Sequence, residues 1–196
     1  MKKNILPVCL FVIFIGFALV FSGCGVPGKV TGGGYIPSVA CYDYENCDEC
    51  NLKANFGFNA NSCDDNWEVS GHFNYVDMDA KDGGVKMNGI VVEVAECERF
   101  DSNDDSDLNF ACGICKDELN GGNEAENFYA AKVKYRSTNP KDRGEGYAVA
   151  CVSDNGEGFN AESADIAAFY VLTGPFQGYM NAGRVQGNIQ AHECEE

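Results

Sequence analysis

Apolar and polar residues alternate along much of the chain, and the alternation is clearest in residues 67–77. There Trp67, Val69, Phe73 and Tyr75 fall in one phase, with mostly polar residues between them. Side chains that alternate with a period of two point to opposite faces of a strand, so the pattern predicts half-buried β-strands. Further strands are predicted over residues 56–58, 85–97, 128–135, 146–152, 166–172 and 184–192.

Turn-forming residues separate these predicted strands. Residues 77–84 combine Asp, Lys and a Gly83-Gly84 pair, which predicts the turn of a β-hairpin. Because no long stretch beyond the N-terminal region has a helical period, the sequence predicts an all-β fold, a single antiparallel β-sandwich or small barrel. Other turn signals are Asn139-Pro140, Asp154-Asn155-Gly156 and Gly174-Pro175.

The N-terminal region has a different pattern, an almost uninterrupted apolar run over residues 5–21. Lys2 and Lys3 precede the run, and the small residues Ser22 and Gly23 follow it. A basic start, an apolar stretch and small residues are the three parts of a secretory signal. An uncleaved transmembrane anchor is the alternative, because a run of about 18 residues is long enough to span a bilayer. Both interpretations place the rest of the chain outside the cytoplasm.

A cysteine directly after the small residues refines this prediction. Phe21-Ser22-Gly23-Cys24 resembles the lipobox of bacterial lipoprotein signals. The resemblance implies that residues 1–23 are a signal peptide, and that Cys24 becomes the lipidated first residue, carrying palmitate. The glycine-rich segment that follows then serves as a lipidated tether, residues 24–34, and residues 35–196 form the β domain.

The charge of the chain restricts its partners. It has 14 basic and 30 acidic residues, a net charge of −16, and removal of Lys2 and Lys3 gives 12 − 30 = −18. A surface this negative repels phosphate backbones and anionic lipid head groups. We therefore expect no nucleic-acid partner, and we expect membrane attachment through the lipid on Cys24.

The cysteine content predicts disulfides. Of 11 cysteines, Cys9 belongs to the signal and Cys24 to the lipid site, which leaves 11 − 2 = 9. Exported proteins keep such cysteines oxidised, and their spacing alone does not determine the pairing. An odd number leaves one thiol outside the intramolecular bridges. The disulfide candidates are Cys41, Cys47, Cys50, Cys63, Cys97, Cys112, Cys115, Cys151 and Cys194. The four cysteines of residues 41–63 are expected to form a disulfide-bridged loop or hairpin.

Two Cys-x-x-Cys pairs leave other chemistry open. Cys47 with Cys50, and Cys112 with Cys115, would supply four thiolates for a tetrahedral Zn²⁺. The distance between the pairs exceeds that of the usual zinc pattern, which favours disulfides. Redox exchange at the second pair is a further alternative.

Acidic clusters supply the second metal hypothesis. Asp77, Asp79 and Asp82 carry the oxygen ligands that Ca²⁺ prefers, although their spacing does not match an EF-hand loop. The aspartates of residues 101–107 form a similar cluster. Solvated acidic loops are the simpler interpretation, and no other cofactor is expected.

The sequence offers little for catalysis, and no catalytic residue is predicted. His72 and His192 are the histidines of the chain, and each fits a surface or structural role. No nucleophile-elbow or zinc-protease motif is present. The aromatic residues of the alternating stretches are expected in the core. They are Trp67, Phe73, Tyr75, Tyr129, Tyr135 and Phe169.

Several short motifs together resemble the post-COAP-1 type domains of secreted bacterial proteins. The resemblance extends over residues 29–192 and implies an extracellular β domain, without any known activity or ligand. The motifs that carry it are Gly32-Gly33-Gly34, Phe56-Gly57-Phe58-Asn59, Phe73-Asn74-Tyr75-Val76-Asp77, Asp154-Asn155-Gly156-Glu157 and residues 183–192.

These observations predict an exported, lipid-anchored bacterial lipoprotein, a non-catalytic structural or binding module on the periplasmic or cell-surface side of the membrane. The expected partners are the membrane, through Cys24, and an envelope or extracellular protein or glycan. A metal-binding lipoprotein, using the acidic loops for Ca²⁺ or the cysteine pairs for Zn²⁺, is the first alternative. A hydrolase of extracellular carbohydrate is the second.

Overall fold

An antiparallel β-sheet makes up most of the described chain. The computed structural model describes residues 28–43, 51–63, 68–97, 105–115, 128–155 and 165–194. A short 3-10 helix covers Val39–Asp43 and an α-helix, α1, covers Asp107–Ile114. The strands are β1 (Lys29–Pro37), β2 (Lys53–Asn61), β3 (Ser70–Asp77), β4 (Val85–Glu96), β5 (Phe128–Ser137), β6 (Glu145–Ser153), β7 (Ile166–Val171), β8 (Met180–Arg184) and β9 (Gln186–His192).

The strand order nearly closes the sheet on itself. Strands β1 to β8 each pair with their neighbour in sequence, and β9 pairs with β1. Only Val185 separates β8 from β9. The C-terminal segment therefore pairs with β7 through β8 and with β1 through β9. The all-β prediction, an antiparallel sandwich or small barrel, is confirmed, and most predicted strands coincide with observed ones.

The core lies inside the curved sheet, where alternate residues of every strand point. Phe169 of β7 packs against Phe56, Phe73 and Tyr75, with ring centroids 5.3, 5.7 and 4.8 Å away. Tyr135 is also fully buried. Burial of each large apolar side chain contributes roughly 1.5–3 kcal/mol, so this aromatic cluster is a main source of stability.

The predicted hairpin between β3 and β4 is present. Gly83 and Gly84 in its turn have φ angles of 84° and 78°. Side chains with a Cβ rarely adopt these values, which explains the glycine pair.

The first strand, β1, includes residues that were predicted to form the tether. Residues 29–34 belong to β1 and pair with β2 and β9, so the sheet starts before the predicted domain boundary at residue 35. Gly32 faces the interior, where a Cβ would lie 2.8 Å from the ring of Phe58. The glycines therefore fit a crowded strand, although they lack the side chains that mark a strand in a sequence.

The sequence also did not predict α1, which covers the outer face of β5, β6 and β7. Its N-cap, Ser106, accepts a hydrogen bond from the Asn109 N–H at 3.3 Å. Ala111 and Ile114 are buried in a second apolar cluster with residues of β5, β6, β7 and β8. With eight residues, the helix is too short to be stable alone, so packing and cross-links must hold it.

Disulfides fasten these elements. Cys97 pairs with Cys112 and Cys115 pairs with Cys151, which attaches α1 to the ends of β4 and β6. Cys63 pairs with Cys194 across 131 residues, linking the end of β2 to the end of β9. The Cα–Cα distances of 5.3, 6.1 and 5.4 Å are in the normal range for disulfides. The expected bridging of Cys63 within residues 41–63 is wrong, because its partner lies at the other end of the chain.

Two aspartates protect the free edge of β9. Asp165 Oδ2 accepts the Ile189 N–H and Asp154 Oδ2 accepts the Ala191 N–H, both at 2.9 Å. An unpaired strand edge invites association with other chains. These carboxylates take the place of a neighbouring strand at the gap in the sheet.

We expect Asp165→Ala to lower the free energy of unfolding by about 2 kcal/mol, because the buried N–H of Ile189 and the N–H of Asn155 lose their acceptor. Urea denaturation measures the loss. Asp105→Ala, at an exposed position, is the control and should change stability by less than about 0.5 kcal/mol. Equal stability of the two variants would contradict this role of Asp165.

Candidate functional site

A buried polar cluster closes one end of the sheet interior. Asp77, at the end of β3, accepts hydrogen bonds from the Ser38 hydroxyl at 2.6 Å and from the Tyr179 hydroxyl at 2.8 Å. It also accepts the N–H groups of Val39 and Asp79 at 3.3 and 3.2 Å. Four donors therefore converge on one carboxylate that is fully shielded from solvent.

Two tyrosines extend the cluster across the core. The hydroxyls of Tyr75 and Tyr179 lie 2.6 Å apart, and Asn181 donates to Tyr75 at 2.9 Å. Because the Tyr179 proton goes to Asp77, Tyr75 donates to Tyr179 and accepts from Asn181. Burial raises the pKa of Tyr179, and Tyr75 and Asp77 raise it further, so Tyr179 stays protonated as a donor. These hydrogen bonds link Asn181 of β8 to Asp77 of β3 across the core.

The proposed calcium ligands occupy different environments. Asp77 is buried and already saturated with protein donors, whereas Asp79 is exposed. Asp82 is 84% exposed and forms an ion pair with Lys141 at 2.7 Å. Among the described residues, no group of three or more His, Cys, Asp or Glu side chains is arranged to hold a metal ion. The aspartates of residues 101–104 lie outside the described part.

The cysteine pair of α1 is divided between two bridges. Cys112 bonds to Cys97 and Cys115 bonds to Cys151, so neither sulfur is a thiolate that could bind Zn²⁺ or exchange with its neighbour. Cys41 is also disulfide-bonded. The remaining candidates, Cys47 and Cys50, and the lipid site, Cys24, lie outside the described residues.

The other end of the interior holds an apolar cavity of about 30 Å³. Its lining includes Val30, Phe73, Val91 and Val133. Ligand sites usually enclose roughly 300–1,000 Å³, so this space is a packing defect of about one water molecule.

The outer surface of the sheet has an unusual composition. Strands β9, β1, β2, β3 and the first half of β4 place no Asp or Glu on their outward side within the described residues, although the chain has 30 acidic residues. We call this surface the amide face, because asparagine recurs along it. The outward asparagines are Asn55, Asn59, Asn61, Asn74, Asn88 and Asn188.

A cleft runs from the amide face to the β5–β6 turn. It consists of two adjoining hollows of about 440 and 610 Å³ that share Asn88, and we call it the Asn88 cleft. The first hollow is lined by Asn59, His72 and Asn74, and the second by Arg136 and other residues near the turn. Both hollows are open to solvent, so a ligand bound there would lie along the surface of the sheet.

Strand register and hydrogen bonds order the side chains of the cleft. Asn74, Asn88 and Arg136 are direct cross-strand neighbours on β3, β4 and β5. The Asn74 amide donates to the Asn88 side-chain oxygen. Asn59 likewise accepts the backbone N–H of His72 at 2.8 Å. The cleft is thus lined by amides whose remaining donors and acceptors are available to a ligand.

Two arginines give the cleft a positive charge. Arg136 and Arg143 line it and are exposed, and neither forms an ion pair with another described residue. Glu145, opposite Arg136 on β6, is the acidic lining residue in the described part. The cleft is therefore a positive site on a strongly negative protein.

The cleft around His72 depends on the cross-strand register, so the linear sequence did not indicate it. His72 and His192 are both exposed, as expected. Of the predicted core aromatics, Phe73, Tyr75, Tyr135 and Phe169 are buried. Tyr129 is partly buried, and Trp67 lies outside the described residues. A comparison of the two faces of each predicted strand would have indicated the amide face, because asparagine and glycine recur on the outward face.

None of the helices within the described ranges has the length and hydrophobicity to cross a bilayer. Comparison with known proteins found no matching family model, no matching curated protein and no matching solved structure.

Proposed function

We propose that the protein is an exported, lipid-anchored bacterial envelope lipoprotein that acts as a binding module without catalytic activity. In this proposal residues 1–23 direct export, Cys24 carries the lipid, and the β domain presents the Asn88 cleft on the periplasmic or cell-surface side of the membrane.

The observation that carries the proposal is the set of three disulfides joining distant parts of the chain. Disulfides persist in oxidising compartments and are rare in the reducing cytosol. Their positions at strand ends and around α1 fit a structural role. The predicted export signal explains how the chain would reach such a compartment.

A binding role is supported by the contrast between the interior and the surface. The buried polar cluster around Asp77 is occupied by the protein's own donors, and the interior cavity is too small for a ligand. The Asn88 cleft instead offers exposed polar groups in hollows that are open to solvent. Such a rigid surface site suits recognition of an external partner.

We expect Cys24→Ala to abolish membrane attachment or to leave an uncleaved precursor, because the lipidated residue is missing. Detergent phase partitioning and metabolic labelling with a palmitate analogue measure the effect in cells expressing the full chain. Cys9→Ala, within the predicted signal, is the matched control and should be labelled like the original protein. Equal labelling of the Cys24→Ala variant would overturn the lipid anchor.

A further inference from the structure

We infer that the Asn88 cleft binds a carboxylated polysaccharide, with Arg136 and Arg143 holding a uronate carboxylate and the neighbouring asparagines bonding the sugar hydroxyls. The assignment rests on the proposed function, since it names the ligand of the proposed binding module.

The distribution of charge favours an anionic ligand. The chain has a net charge of −16, yet the amide face contains no acidic residue among its described outward positions. The adjoining Arg136 and Arg143 have no ion-pair partner in the described residues, and Glu145 offsets only one of the two charges in the cleft. A guanidinium group bonds a carboxylate through two parallel N–H donors, so the arginines fit a uronate.

The hydrogen-bonding groups of the cleft match those of a sugar chain. Each sugar hydroxyl both donates and accepts, and an asparagine side chain offers an acceptor oxygen beside donor N–H groups. The side chains of Asn74 and Asn88 are hydrogen-bonded to each other, which fixes their orientation. The Asn59 side-chain oxygen is held by the His72 N–H. Ordered amides on rigid strands can bond a chain of hydroxyls without a large loss of side-chain entropy.

The shape of the surface beside the cleft favours an extended ligand. Gly33 and Gly57 are cross-strand neighbours on β1 and β2, directly beside Asn74 on β3. A Cβ added to Gly57 would meet no atom within 4 Å, so the absence of side chains leaves open space above the sheet. This open space above Gly33 and Gly57, which we call the open lane, adjoins the Asn88 cleft, because Gly57 also lines the first hollow. A continuous surface of this kind suits an extended ligand better than a single sugar.

An anionic membrane surface is the competing partner for a basic site. Proteins bind such surfaces with clusters of Lys and Arg together with apolar side chains that enter the lipid. The outward lysines of the amide face, Lys29, Lys53 and Lys86, are instead spread over three strands among neutral amides, and Ile90 is its large exposed apolar residue in the described part. The composition therefore favours a polyhydroxylated ligand.

The test uses the full lipidated chain in detergent micelles and alginate oligosaccharides as the carboxylated probe. Isothermal titration calorimetry compares the original protein with Arg136→Ala, Asn88→Ala and Gly57→Gln. Arg136→Ala removes the charged contact and should weaken alginate binding roughly tenfold. Asn88→Ala should weaken it severalfold. Gly57→Gln should also weaken binding, because its side chain enters the open lane. Higher salt should weaken binding to the original protein.

Arg184→Ala is the matched control, since Arg184 is an exposed arginine of β8 away from the cleft. It removes the same charge and should leave alginate affinity unchanged. Neutral dextran and vesicles containing anionic lipid complete the comparison. Weak binding to both, with alginate binding lost in Arg136→Ala, supports the assignment.

Three results would overturn the assignment. They are alginate affinity unchanged by Arg136→Ala, an equal loss in Arg184→Ala, and binding to anionic vesicles without binding to alginate. Absence of alginate binding by a protein that is still lipidated at Cys24 would reject this ligand while leaving the anchored module intact. Failure of the Cys24 experiment would reject the anchor instead, whatever the calorimetry shows.

Discussion

Removing the Cys63–Cys194 bridge with the double variant Cys63→Ser/Cys194→Ser should lower the free energy of unfolding by about 5 kcal/mol in the chain-entropy model. The bridge spans 131 residues, so its loss greatly increases the freedom of the unfolded chain. It also fastens the end of β9, which completes the sheet beside β1. Urea denaturation under non-reducing conditions measures the effect.

The bridge between Cys97 and Cys112 provides the comparison. Its separation of 15 residues predicts a smaller loss, about 3 kcal/mol, for Cys97→Ala/Cys112→Ala. We expect the Cys63–Cys194 variant to be the less stable of the two. Unchanged stability of both variants would show that the disulfides do not brace the fold.

Asp77→Ala should have the next largest effect, a loss of about 3 kcal/mol in the free energy of unfolding. The substitution leaves the buried hydroxyls of Ser38 and Tyr179 and two backbone N–H groups without their acceptor. Asp77→Asn keeps an acceptor oxygen and should lose about half as much. Thermal and urea denaturation of the three proteins measure the series.

Asp79→Ala is the matched control for this experiment, because its side chain is exposed two residues away in the same turn. A change within about 0.5 kcal/mol is expected there. If calcium raised the stability of the original protein but not that of Asp79→Ala, the acidic turn would be a metal site, contrary to this account.

Local patterns explain why most of the sheet was predictable. Alternation in β3, β4 and β5 depends on neighbouring residues, so the sequence alone indicated these strands and the hairpin at Gly83-Gly84. Glycines concealed β1, because Gly32, Gly33 and Gly34 show no alternation. The short α1 depends on disulfides and packing against β5 to β7, which no local pattern reveals.

Long-range contacts explain what the sequence could not show. Cys63 meets Cys194 only because β9 returns to pair with β1. The Asn88 cleft likewise depends on the register that aligns Asn74, Asn88 and Arg136 on three strands. Aspartates that resembled calcium ligands in sequence were separated by the fold, with Asp77 inside and Asp82 outside.

Intact mass spectrometry of the protein extracted from membranes tests the central proposal, export with lipidation, most directly. The account predicts a chain that lacks residues 1–23, carries acyl groups on Cys24 and gains two hydrogens on reduction for each of at least three disulfides. A full-length, unacylated chain whose mass does not change on reduction would contradict it.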